Sequence, residues 1–106
     1  MLLEEYDKFV RSTAVFPAEF SIIYPTLGLV GEAGEVAEKI KKSIRGDYIV
    51  DEVRDQLILE LGDVMWYNSA LAQALGSSLE KVMEANVEKL SSRKKRDKIK
   101  GNGDER

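Results

Sequence analysis

The sequence contains neither cysteine nor histidine in its 106 residues. Without cysteine, the chain can form no disulfide, no thiolate nucleophile and no zinc–sulfur site. Without histidine it has no imidazole base or ligand, which excludes the Glu-x-x-His motif of di-iron bundles. Any metal ion would have to be bound by oxygen atoms, and this favours Mg²⁺, Mn²⁺ or Ca²⁺.

Long hydrophobic runs are also absent. No apolar run approaches the roughly 18 residues that suggest a membrane-spanning helix. The N-terminal segment carries Glu4 and Glu5, where a secretory signal peptide would be basic. We therefore expect a cytoplasmic protein with no membrane partner.

The composition fits one helix-rich domain. A chain of 106 residues can build one hydrophobic core but not two. Its hydrophobic fraction of 43% and charged fraction of 33% are typical of a soluble helical protein.

The net charge of −3 is unevenly distributed. Residues 91–106 contain seven Lys/Arg and three Asp/Glu, a net charge of +4, which leaves −7 on residues 1–90. A basic tail on an acidic body could bind nucleic acid, contribute to a polyphosphate site, or simply be solvated.

Apolar residues recur at three- and four-residue spacing in four segments, which predicts four helices. The predicted helices are a first that ends at about Arg11 or Thr13, a second over 25–45 ended by Gly46, a third over 52–75 with Asp51 as N-cap, and a fourth capped by Ser77 or Ser78. Short connections between four helices indicate a helical bundle. The third helix is apolar on more than one face, so we expect the protein to oligomerise.

Two pairs of acids lie beside the apolar stripes. Glu32 and Glu35 are three residues apart on the second predicted helix, and so are Glu60 and Asp63 on the third. The members of each pair therefore form a column along one side of their helix, and Tyr67 lies in the same column as Glu60 and Asp63. If the two helices pack antiparallel, four carboxylates can converge at the edge of the core. Carboxylates that converge in this way repel one another, and a divalent cation commonly relieves the repulsion. Solvated helix faces remain the alternative for these pairs.

Three glycines, at positions 28, 31 and 34, interrupt the second predicted helix. Each costs a helix interior roughly 0.5–1 kcal/mol relative to alanine. One interpretation is the close approach of a bulky group, either a neighbouring helix or a ligand.

The segments 28–36 (GLVGEAGEV) and 60–67 (ELGDVMWY) resemble the MazG-like nucleoside triphosphate pyrophosphohydrolases of the all-α NTP pyrophosphatase superfamily. The resemblance continues in the segments 79–82 and 86–93, and the glycine-rich segment 101–104 is similar to the family's C-terminal ending. It implies an oligomeric four-helix bundle of that type, either a dimer or a tetramer. We expect a single MazG-like helical domain over 1–100 and a flexible tail over 101–106.

The resemblance also implies roles for individual residues. Four acids would bind Mg²⁺, for which Mn²⁺ is a possible substitute: Glu32, Glu35, Glu60 and Asp63. Four residues would bind substrate: Tyr67, Asn86, Lys89 and Arg93. Of these, Lys89 and Arg93 resemble the family's phosphate-binding bases. Glu35, Glu60 and Lys89 are the candidate catalytic residues, with Glu35 positioning the attacking water. Many family members have two adjacent acids at the start of the first motif, whereas Gly31 precedes Glu32 here, so one carboxylate is missing.

Structural explanations exist for several of these residues. Lys89 and Arg93 could be solvated bases near a helix C-terminus, where positive charge is favoured. Trp66 points away from the column of acids and is assigned to packing. Tyr67 lies in that column and fits either packing or substrate contact.

The implied reaction converts a (d)NTP to the (d)NMP and pyrophosphate, for nucleotide-pool control or housecleaning. The family commonly builds its substrate pocket from more than one subunit. One alternative is a helical protein without catalysis that binds nucleic acid through its basic tail, although we consider nucleic acid the less favoured partner. The other is a catalytically inactive regulatory scaffold.

Overall fold

A computed structural model describes residues 1–106 as an all-helical chain without strands. The four helices are α1 (Leu3–Thr13), α2 (Ile23–Arg45), α3 (Arg54–Ala74) and α4 (Leu79–Lys95). Single 3₁₀ turns precede α2 and α3, at Ala18–Phe20 and Val50–Val53. The all-α class and the four predicted helices are confirmed.

The ends of α2 follow from proline and glycine chemistry. The helix begins at Ile23, two residues earlier than predicted, and places Pro25 at its third position. A proline is tolerated there because the first N–H groups of a helix have no partner within the helix. At the other end, Gly46 adopts φ +95° and donates its N–H to the carbonyls of Lys42 and Ser43. Gly46 is the predicted C-terminal stop.

The starts of α3 and α4 differ in how well the sequence predicted them. Ser78 caps α4 as predicted, its side chain accepting a hydrogen bond from the Lys81 N–H. The prediction of Asp51 as the N-cap of α3 is wrong, because Asp51 lies inside the preceding 3₁₀ turn. That turn is held by the Glu52 carboxylate, which accepts the Ile49 N–H at 3.2 Å.

Helices α2 and α3 form the dominant pair of the fold. Lys39 of α2 meets Glu60 of α3, whereas Gly28, earlier in α2, lies against Tyr67, later in α3. The pairing is therefore antiparallel, and it aligns the two predicted columns of acids.

Helices α1 and α4 pack against α3 through a buried polar network. The Asp7 carboxylate of α1 accepts hydrogen bonds from the Ser69 hydroxyl at 2.6 Å and from the Leu79 N–H at 3.3 Å. The Gln73 amide donates to the Ser69 hydroxyl and to the Asp7 carbonyl. Since a buried carboxylate without such partners would be costly, this network fixes how three helices meet.

Few side chains are fully enclosed within a single chain. Only 9 of 106 residues are buried, and large apolar side chains on α2 and α3 remain exposed. The radius of gyration is 16.6 Å, against about 13 Å for a compact domain of this length. None of the helices combines the length and the apolar character that crossing a membrane requires.

Candidate functional site

Three carboxylates converge where α2 and α3 face each other. Glu32 comes from α2, whereas Glu60 and Asp63 lie one turn apart on α3. Carboxylate oxygens of the three residues all lie within 4.8 Å of one another. The structure thus brings together three of the four predicted metal ligands.

The crowding of these acids changes the ionisation of Glu32. Burial raises the pKa of Glu32, and a hydrogen bond with Glu60 and the negative charge of Asp63 raise it further. Each of these effects disfavours the ionised carboxylate. A bound cation would act in the opposite direction, so the donor set is suited to an oxygen-preferring divalent ion.

Lys39 supplies the positive charge nearest to this cluster. Its Nζ lies 3.3 Å from Oε1 of Glu60, and both side chains are about 20% exposed. The Tyr48 hydroxyl donates to the Lys39 carbonyl at 3.0 Å, which ties the end of α2 to the loop that leads to α3. Lys39 thus offsets part of the negative charge of the three acids.

Glu35 lies outside the convergent group. It is exposed on α2, and its contribution to the cluster is the negative charge it adds near Glu32. The proposed roles of Glu35 as metal ligand and catalytic residue stay predictions.

A pocket of about 330 Å³ opens beside the acids. Glu32 and Asp63 form its acidic part. Its other lining residues are Thr13, Val15, Phe16, Tyr24, Trp66 and Tyr67. The pocket therefore places carboxylates next to a wall that is mostly aromatic.

The aromatic wall is internally ordered. The rings of Phe16 and Tyr24 stack with centroids 4.6 Å apart, and Trp66 contacts Tyr67 edge-on at 5.0 Å. The Trp66 indole N–H donates to the Thr13 hydroxyl at 2.8 Å. Trp66 does pack, as predicted, but it also lines the pocket.

The sequence did not identify Phe16 and Tyr24 as site residues. Phe16 lies in the connection after α1, and Tyr24 in the first turn of α2, where no clear helical period is visible. No motif in the sequence signals these two rings, because only the packing of the connection and of the first turn of α2 onto α3 brings them to the pocket.

Gly28 allows Tyr67 to approach the backbone of α2. A Cβ atom at Gly28 would lie 2.2–2.5 Å from ring atoms of Tyr67. No atom would lie within 4 Å of a Cβ at Gly31 or Gly34. The predicted close approach therefore applies, within this chain, to Gly28.

The predicted substrate-binding residues of α4 lie in a different place. Lys89 and Arg93 line a second pocket of about 340 Å³ that shares no residue with the aromatic pocket. Asn86 is exposed on the same helix. Within one chain, therefore, these residues are not brought to the acids, and their roles stay predictions.

Comparison with known proteins agrees with these observations. Residues 24–97 match the MazG nucleotide pyrophosphohydrolase domain. The Gene 37 protein of Mycobacterium phage L5 is 44% identical, and the alignment covers 100% of each chain. No solved structure matches the chain. The matched region contains the convergent acids and the α4 residues, but not Phe16 or the segment 101–106.

Proposed function

The chain belongs to the MazG nucleotide pyrophosphohydrolase family, and from this premise we propose that it hydrolyses nucleoside triphosphates, ribose or deoxyribose, to the monophosphate and pyrophosphate. We propose Mg²⁺ as the cofactor, with Mn²⁺ as a possible substitute. The role would be nucleotide-pool control or housecleaning, and the cytoplasmic location stays a prediction.

The observation that carries this proposal is the adjacency of acids and aromatic rings in one pocket. Glu32 and Asp63 form one side, and Tyr24, Trp66 and Tyr67 contribute rings to the other. A nucleotide has the matching chemistry, because its phosphates need a cation and its base can stack on aromatic side chains. The volume of the pocket lies at the lower end of the range for small-molecule sites.

The three convergent acids would hold the cation. When bound, Mg²⁺ neutralises phosphate oxygens and lowers the pKa of a coordinated water. Glu32, Glu60 and Asp63 supply carboxylate oxygens that lie within 4.8 Å of one another. Lys39 pairs with Glu60 at 3.3 Å, and Glu35 would position the attacking water.

We also propose that the protein is a homo-oligomer. One chain exposes 8022 Å², whereas a compact monomer of 11.9 kDa is expected to expose about 6,000 Å². The excess of roughly 2,000 Å² per chain corresponds to the interface of an obligate dimer. Such an assembly would bring three α4 residues of one subunit, Asn86, Lys89 and Arg93, to the acids of another. Residues that are separate within one chain would then form one site between two subunits.

The test is pyrophosphate release from a panel of canonical and modified NTPs and dNTPs, with Mg²⁺ or with EDTA. A Glu60→Gln/Asp63→Asn double variant removes two convergent charges. Its matched control is Asp55→Asn/Glu84→Gln, which removes two exposed charges elsewhere. We expect Mg²⁺-dependent release in the wild type and in the control, and a loss of at least about 100-fold in the double variant.

Two results would contradict the proposal. Full activity in the double variant would show that the convergent acids do not serve the reaction. The absence of release with every nucleotide, from a folded oligomer, would favour the alternative of a catalytically inactive regulatory or nucleic-acid-binding protein.

A further inference from the structure

The segment that follows α4 folds back onto that helix. Arg93, only 4% exposed, donates from Nη2 to the carbonyl of Gly103 at 3.2 Å and to that of Asp104 at 2.7 Å. Arg106 donates to the carbonyls of Lys98 at 3.1 Å and of Ile99 at 2.8 Å. The bonds of Arg93 thus hold the segment against α4, and those of Arg106 close the segment on itself. The flexibility predicted for 101–106 stays a prediction.

This arrangement places a carboxylate beside the two side chains that are predicted to bind phosphate, Lys89 and Arg93. Oδ1 of Asp104 lies 3.1 Å from Lys89 Nζ and 3.5 Å from Arg93 Nη2. A hydrogen bond with Lys89 and its positive charge hold the pKa of Asp104 below the ordinary value, and Arg93 adds to the effect. Asp104 is therefore ionised at neutral pH, in the position where a phosphate oxygen would meet the same two cations.

We propose that Asp104 is an internal competitor of phosphate at Lys89 and Arg93, and that a polyphosphate ligand binds there by displacing its carboxylate. This inference rests on the substrate-binding roles proposed for Lys89 and Arg93. A ligand that binds only the displaced state has its apparent affinity reduced by the fraction of molecules in that state. Asp104 thereby sets the phosphate concentration at which the cationic pair becomes occupied.

The exchange requires little rearrangement. The Asp104 side chain is 84% exposed, so it can rotate into solvent without opening a buried surface. The Arg93 hydrogen bonds to the carbonyls of Gly103 and Asp104 do not depend on that side chain. Displacement therefore breaks the ion pairs of an exposed carboxylate and leaves the backbone of the segment attached.

The test is calorimetric binding of inorganic tripolyphosphate in EDTA, which requires neither nucleotide nor metal. Asp104→Asn removes the competing charge but keeps the carbonyl that Arg93 uses. Because an exposed ion pair is worth at most about 1 kcal/mol, we expect affinity to increase by about 2–5-fold. Glu105→Gln is the matched control: it removes the same charge from a neighbouring exposed residue that lines the same pocket but pairs with neither Lys89 nor Arg93, so we expect a smaller gain in affinity than for Asp104→Asn.

A double-mutant cycle assigns the effect to the ion pair. In a Lys89→Gln background, Asp104→Asn is expected to change tripolyphosphate affinity by a smaller factor than in the wild type. Carboxyl-carbon NMR gives an independent measurement, because the pKa of Asp104 should rise towards its ordinary value when tripolyphosphate saturates the protein.

Several outcomes would overturn the inference. Equal gains for Asp104→Asn and Glu105→Gln would indicate a general charge effect. Weaker binding by Asp104→Asn would mean that Asp104 positions the cations instead of competing for them. An unchanged Asp104 pKa, or no tripolyphosphate binding, would exclude displacement. If competition is observed but no nucleotide is hydrolysed, only the proposed function fails.

Discussion

At the residue scale, Glu32 is the member of the acidic cluster whose ionisation is most affected by its surroundings. Burial is the largest cause of its raised pKa, and the neighbouring carboxylates of Glu60 and Asp63 increase the effect. A group with a raised pKa in the folded state stabilises that state when protonated, and this contribution is lost as pH rises through the folded-state pKa. Without a cation, ionised Glu32 therefore opposes folding at neutral pH.

This reasoning predicts the effect of Glu32→Gln on thermal stability. In EDTA at neutral pH, we expect the variant to melt up to about 5 °C above the wild type. This difference in melting temperature should disappear as the pH falls below the ordinary pKa of glutamate. Mg²⁺ should reverse the order by stabilising the wild type more than the variant. Calorimetry across pH, with and without Mg²⁺, measures both effects. A variant that is less stable in EDTA at neutral pH would contradict the electrostatic explanation.

At the element scale, the contact between α2 and α3 depends on one position without a side chain. Tyr67 of α3 fills the space beside Gly28 of α2, and burial is the largest cause of the raised pKa of its hydroxyl. The ring also lines the aromatic pocket. Packing of the two helices and the shape of the pocket are therefore linked through this contact.

Gly28→Ala and Gly31→Ala form a matched pair. We expect Gly28→Ala to destabilise the protein by about 1–3 kcal/mol, because the new Cβ forces the Tyr67 ring to move. In Gly31→Ala the new Cβ has no atom of the chain within 4 Å, so this variant should stabilise α2 by about 0.5–1 kcal/mol. Urea unfolding measures both values, and similar behaviour of the two variants would show that the Tyr67 contact is not what requires glycine.

The helices were predictable because their information is local. Apolar periodicity placed all four, and Gly46 and Ser78 act through their own backbone neighbours. Asp51 was mistaken for a cap because the 3₁₀ turn closed by Glu52 competes with an earlier start of α3.

The candidate site was only partly predictable. The convergence of Glu32 with Glu60 and Asp63 followed from helix spacing and antiparallel packing. The contribution of Phe16 did not, because it depends on how an irregular connection packs. Equally, spacing along α4 placed Lys89 beside Arg93 but gave no information on the chain reversal that brings Asp104 to both.

At the scale of the whole molecule, the exposed apolar surface is the dominant feature. Leu59 is 72% exposed on α3, and Val30 of α2 and Ile44 near its end are also largely exposed. Patches of this kind on a small protein mark interaction surfaces. The homo-oligomer that would cover this surface stays a proposal.

Leu59→Asp tests the proposed homo-oligomer. We expect the wild type to sediment as a dimer or tetramer at micromolar concentration, and Leu59→Asp to shift it towards smaller species because a charge would be buried in the interface. Ser12→Asp introduces the same side chain at an exposed polar position of α1 and serves as the control. A wild type that sediments as a monomer would refute the oligomer.

The position of Trp66 provides an intrinsic optical probe. It is the single tryptophan of the chain, and it lies at the pocket with its indole tied to Thr13 and its ring against Phe16 and Tyr67. Fluorescence excited selectively in this indole therefore originates beside the proposed nucleobase site, with no second emitter in the same chain to obscure it. Titrating nucleoside monophosphates, the proposed products, in the presence of Mg²⁺ would give equilibrium affinities on unlabelled protein, because they contain no phosphoanhydride bond to hydrolyse.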